Sequence, residues 1–101
     1  KIAGEMVSLT AVEVAVEMLW PDYSHAAVTV SDPKKGEQIV LITDRKEGTR
    51  TDITQHFQKY KMSELSIPKK VLILDAIPLL GTGKIDYEAV KRLVFQMEDK
   101  E

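Results

Sequence analysis

The sequence predicts a small α/β (α+β) domain: a mostly antiparallel sheet of about three strands, covered by about three helices. Three observations lead there. Segments with apolar residues at helical spacing alternate with short β-rich runs in the order loop–α–β–β–α–β–α. Proline and glycine punctuate that order, at Pro21, Pro33, Gly36, Pro68 and Pro78. The length of 101 residues fits one domain, 1–101, with a real but modest core.

Each element has its own reason. The opening nine residues read as extended chain and turn. A first helix lies in VSLTAVEVAVEML, where Val12, Ala15, Val16 and Leu19 share a face. Ser8 is a candidate cap, with Thr10 as a rival because Thr10 and Glu13 fit a capping box. Pro21 ends the helix. His25 to Asp32 and Glu37 to Thr43 read as strands, joined into a hairpin through a turn containing Pro33 and Gly36. Asp52 to Tyr60 reads as a second helix, with Ile53, Phe57 and Tyr60 on one face and Asp52 with Gln55 as a cap pair. Val71 to Leu74 is strongly apolar and is expected to be the most buried strand. A third helix runs from about Asp86 to Met97, with Ala89, Val90, Leu93, Val94 and Met97 as its apolar stripe.

Bulk properties exclude more than they select. Fourteen basic and sixteen acidic residues leave a net charge of −2, which weighs against nucleic acid as a partner. Cysteine is absent, so thiol nucleophiles, thiolate metal sites and disulfides are all excluded. No run approaches the roughly 20 apolar residues that span a bilayer. The chain opens on Lys1 rather than methionine, which suggests a piece of a longer protein. His25 and His56 lack a third ligand for a metal and read as surface or edge histidines. Glu13 and Glu17 read as a solvated helix face, and Trp20 and Tyr23 as packing residues. The short basic runs, such as Lys34-Lys35, Arg45-Lys46 and Lys91-Arg92, read as solubilising surface or as a docking face for an acidic partner.

The stretch with the most chemistry is PLLGTGKID, Pro78 to Asp86. It is not a P-loop: Gly83-Lys84 is followed by Ile85 instead of Ser or Thr, and Pro78 stands where the first glycine belongs. It reads as a tight turn in which Gly81 and Gly83 permit positive φ and Asp86 caps the next helix. Lys84 then either faces water or projects a compact positive charge toward phosphate or carboxylate oxygens.

PLLGTGKID resembles the last motif of the adenylate-forming enzymes, PxTxSGKxx, with Pro78, Gly83 and Lys84 kept, Leu80 in place of Thr, and Thr82 in place of Ser. The opening of the chain resembles a second family motif, KxxGxxVxxxEVE. Lys1, Gly4, Val7, Val12 and Glu13 match, while Met6 and Ala11 depart from it. The chain is therefore similar to the C-terminal domain of acyl-CoA synthetases, luciferases and peptide-synthetase adenylation domains. The resemblance implies a mobile lid that follows a large N-terminal adenylation domain and a hinge, both absent from this chain. Lys84 would be the catalytic lysine of acyl-AMP formation, with Gly83 in its loop. Gly4 and Glu5 would face the channel for a pantetheine thiol. ATP and magnesium would bind mainly in the absent domain, and this piece alone is expected to be inactive. Within the family, KIAGEMVSL and PLLGTGK look most like enzymes combining acyl-[acyl-carrier-protein] synthetase and 2-acylglycerophosphoethanolamine acyltransferase activities. That branch implies acyl carrier protein, fatty acid and lysophospholipid as partners, at the cytoplasmic face of the bacterial inner membrane. The alternatives are the lid of an acyl-CoA ligase and a stand-alone protein- or RNA-binding module.

Overall fold

The computed structural model describes residues 7–32 and 36–99. Helix α1 (Leu9–Leu19) leads into β1 (His25–Asp32) and β2 (Gly36–Thr43). Helix α2 (Arg50–Lys59) and a short 3-10 turn (Glu64–Ser66) precede β3 (Lys70–Ile73), and α3 (Tyr87–Asp99) closes the described chain. The sheet order is β1-β2-β3.

The sheet is mixed. β1 and β2 form the expected antiparallel hairpin, from His25 opposite Thr43 to Asp32 opposite Gly36. β3 lies parallel to β2, with Val40 opposite Lys70 and Thr43 opposite Ile73. A parallel neighbour requires a crossover, and α2 supplies it.

β2 is the centre of the molecule. Its residues Ile39 to Thr43 are all buried, because helices cover both faces of the sheet. On one face Ile39 and Leu41 pack with Val12, Val16, Ile53 and Phe57 of α1 and α2. On the other, Val40 and Ile42 pack with Val90 and Val94 of α3. The expectation that Val71 to Leu74 is the most buried strand fails, since β3 is a short edge strand and its residues are half-buried or exposed. An apolar run reports burial tendency, but strand order decides which strand gains two neighbours.

The caps follow local chemistry. Ser8, not Thr10, caps α1, accepting the Ala11 N–H at 3.1 Å. α2 begins earlier than expected: Thr49 caps it by accepting the Asp52 N–H at 3.2 Å, so Asp52 sits in the first turn. There its carboxylate complements the helix dipole. Ile53 and Phe57 are buried as expected, whereas Tyr60 follows the helix and is exposed.

His25 is not a surface residue. It is buried, its Nε2–H donates to the Trp20 carbonyl at 2.9 Å, and its Nδ1 lies 2.9 Å from the Thr43 hydroxyl. A carbonyl can only accept, so Nε2 is the donor to Trp20. The ring thereby ties the end of α1 to the start of the sheet. Trp20 is buried nearby with the Arg45 guanidinium 5.0 Å from its ring centroid, while Tyr23 is half exposed under the same guanidinium. Gly48 keeps this corner tight: a Cβ there would stand 3.1 Å from the Trp20 ring.

Candidate functional site

Pro78 to Asp86 folds as a miniature hairpin standing before α3. Leu79 and Ile85 pair as an antiparallel bridge. The Leu80 N–H donates to the Lys84 carbonyl at 2.7 Å, and the Gly83 N–H to the Leu80 carbonyl at 2.9 Å. The Asp86 N–H returns to the Pro78 carbonyl at 3.0 Å. Gly83 has φ +90°, the left-handed position that closes a three-residue hairpin loop. A side chain there would meet nothing within 4 Å, so its cost would be torsional, about 1–3 kcal/mol. The expectation that Gly81 shares this freedom fails, since its φ is not positive. It gives the turn slimness only.

Lys84 occupies the arm opposite Leu80. Its backbone is held by the hairpin, while its side chain is exposed and makes no ion pair with the described residues. Leu79 and Leu80 beside it are exposed as well, at 59% and 47%. The loop thus offers an exposed cation flanked by exposed apolar side chains.

The hairpin passes straight into α3. Asp86 caps the helix, accepting the Ala89 N–H at 3.1 Å on its carboxylate. Tyr87 follows, and its hydroxyl donates to both oxygens of Glu13, at 2.9 and 2.7 Å. Glu13 also accepts the Ala27 N–H of β1 at 2.8 Å. Glu13 is therefore a half-buried linker rather than part of a solvated face; Glu17, one turn on, is exposed as expected. Sequence reasoning missed Tyr87 because its partner is 74 residues away.

Burial, then the hydrogen bond and charge of Glu13, push the Tyr87 hydroxyl up to about 12. The folded chain thus holds the phenol protonated above its usual value near 10. The stability this contributes is complete below pH 10 and is lost as pH rises toward about 12. The expected result is a wild-type advantage over Tyr87→Phe in urea denaturation that shrinks across that window. An advantage that stays constant there would contradict the linkage.

The other candidates within the described residues do not gather at one site. Gly4 and Glu5 lie outside the described residues, as do Lys34 and Lys35. Of the basic runs, Arg45 and Lys59 line one cavity of about 460 Å³ with Trp20 and His56, while Lys91 lines a different one beside Tyr87. Lys46 sits 3.8 Å from Asp75. Among the described residues no three metal-ligating side chains converge, and no helix is long and apolar enough to cross a membrane.

Fold and site together define a class: a small α/β domain that presents an exposed lysine on a hydrogen-bonded hairpin. Residues 12–84 match the family of AMP-binding enzyme C-terminal domains, and the chain belongs to that family of adenylate-forming enzymes. A probable CoA ligase of Humulus lupulus is 37% identical over 90 residues, covering 86% of this chain and 17% of the relative. An oxalate–CoA ligase of Arabidopsis thaliana is 34% identical over the same length, with the same 17% of the relative covered. The chain thus spans about a sixth of these relatives. Among solved structures, the apo structure of MbtA from Mycobacterium smegmatis shares the fold with a TM-score of 0.80 at 24% identity, over 90% of this chain and 18% of that one. A fatty acyl CoA synthetase of Mycobacterium tuberculosis gives 0.78 at 26% identity, over 91% of this chain and 18% of that one.

Proposed function

We propose that this chain is the mobile C-terminal lid of an ATP-dependent acid–thiol ligase and works with a large N-terminal adenylation domain outside the 101 residues. The observation that carries the reading is the hairpin: a backbone held by three hydrogen bonds that presents an exposed lysine with no ion pair among the described residues. A site this open cannot exclude water or hold a nucleotide, so its chemistry requires a second surface. Closed on that surface, the Lys84 ammonium would meet the oxygens where charge gathers as a carboxylate attacks the α-phosphate of ATP. That attack forms the acyl–phosphate bond and expels pyrophosphate. In the second step a pantetheine thiol takes the acyl group, forming the thioester and releasing AMP. Alternate closures of one lid serve both steps. Gly83 holds the loop shape, while the Gly4-Glu5 segment would line the thiol's path. The magnesium that accompanies ATP would be held mainly by the adenylation domain and the nucleotide's own phosphates.

Coenzyme A is the better supported acceptor, because relatives at 37% and 34% identity are CoA ligases by name. Acyl carrier protein, with onward transfer to a lysophospholipid at the bacterial inner membrane, is the second reading. It rests on the resemblance of the opening segment and PLLGTGK alone. Family membership weighs against the stand-alone binding module. The deciding experiment supplies the full-length parent with ATP and a panel of carboxylic acids, and offers coenzyme A or holo acyl carrier protein. Thioester on coenzyme A is the expected product. Thioester only on the carrier protein would reverse the order of the two readings, and formation of neither acyl-AMP nor thioester would remove both.

A further inference from the structure

We infer that Glu13 and Tyr87 form a brace that positions the Lys84 hairpin, with Tyr87 as a positioning residue rather than a catalytic one. The inference rests on the proposed function for its kinetic consequence and on geometry for its substance.

The hairpin and the start of α3 are one mechanical unit. Asp86 closes the hairpin through its N–H and caps α3 through its carboxylate, and Tyr87 is the next residue. Whatever holds Tyr87 therefore sets where Lys84, three residues earlier, points. α1 and α3 lie on opposite faces of the sheet, with β1 as the edge strand on one side. Glu13 reaches from α1 to that edge, accepts the outward Ala27 N–H, and takes the Tyr87 hydroxyl arriving from α3. One carboxylate thus links both helix layers to the strand between them.

Two plainer readings of these contacts fall short. Tyr87 is not there to fill the core, since it is 40% exposed. Nor does Glu13 need a tyrosine in order to satisfy Ala27. What the tyrosine adds is the tie between layers. A cavity of about 300 Å³ lies at this junction, lined by Leu9, Thr10, Glu13, Val28, Tyr87 and Lys91 among others. Glu13 and Tyr87 both border this cavity, so their hydrogen bonds cross the junction at its edge.

The test uses Tyr87→Phe in the full-length parent, which keeps the ring and loses the link. Three readouts are needed: acid-dependent ATP–pyrophosphate exchange, thioester formation from preformed acyl-adenylate, and amide hydrogen exchange at residues 79–86. The expected result is a fall of about tenfold in kcat for pyrophosphate exchange, because a loosely aimed cation loses orientation. KM for ATP and acid should stay within about twofold, as expected when a transition-state contact is lost. Thioester formation is unchanged, and the Leu80, Gly83 and Asp86 amides exchange faster. Glu13→Gln, which keeps an acceptor for Ala27 and for the phenol, falls between wild type and Tyr87→Phe. Equal loss in both half-reactions would mark general destabilisation and overturn the inference. Unchanged amide exchange would overturn it regardless of activity. Lys84→Ala in parallel separates the two claims: if it leaves adenylation intact, the proposed lysine role fails while hydrogen exchange still decides the brace.

Discussion

Replacing Lys84 by alanine in the full-length parent is expected to lower acid-dependent ATP–pyrophosphate exchange by about 10²–10³-fold, the range seen when one preorganised electrostatic contact is removed. Thioester formation from preformed acyl-adenylate should survive, because the second step needs no cation at the first step's oxygens. The size follows from the setting. The ammonium is exposed in the isolated domain, where water screens it. Closure on the adenylation domain would carry it into a site of lower effective dielectric, where the same charge interacts several-fold more strongly. Lys84→Arg should restore only part of the rate, since a planar guanidinium does not reproduce a compact ammonium on a four-carbon stem. Exchange that is unchanged in Lys84→Ala would return the residue to a solvent-facing lysine in a tight turn.

The second large effect concerns folding. Phe57→Ala is expected to cost about 3–5 kcal/mol, as for other buried aromatics truncated in a core. Phe57 is fully buried and is the largest of the fully buried side chains. It packs in the cluster that joins α1, α2 and one face of the sheet. A domain of this size is stable by only about 5–15 kcal/mol, so the variant should sit near its folding limit. In urea the midpoint should fall by about 2 M with little change in slope. Phe95→Ala makes the control, because Phe95 is 66% exposed and its loss should be near neutral. A Phe57→Ala midpoint within error of wild type would mean that the α2 layer contributes little to the fold.

How legible all this was in the sequence depended on the range of the forces involved. Helix faces were readable because Val12, Ala15 and Val16 recur at local spacing, and all three are buried. The Gly83-Lys84 turn and the Asp86 cap were readable because their hydrogen bonds close within a few residues. Ser8 and Thr49 compete with other polar neighbours, so Ser8 is readable only with Thr10 as a rival and Thr49 is not read as a cap. Long-range facts were out of reach. His25 is buried because Thr43, 18 residues on, and the Trp20 carbonyl satisfy both ring nitrogens. Glu13 is a linker because of Tyr87, and nothing in VSLTAVEVAVEML announces a phenol from α3. β3 pairs in parallel at the sheet edge because α2 carries the chain across. Its apolar composition alone predicts neither its orientation nor its place in the order.

The hairpin has a thermodynamic consequence for closure. A lysine on a disordered loop would have to surrender backbone as well as side-chain freedom at each catalytic cycle. The backbone part amounts to about 1–2 kcal/mol for every residue immobilised. From Leu79 to Asp86 that freedom is already spent in folding, through the cross-strand hydrogen bonds and the left-handed Gly83. What remains to be ordered at each closure is the Lys84 side chain, about 2 kcal/mol of rotamer entropy at most. The loop therefore arrives at its partner as a nearly rigid probe with one flexible tip, and little of the contact energy is consumed in arranging it.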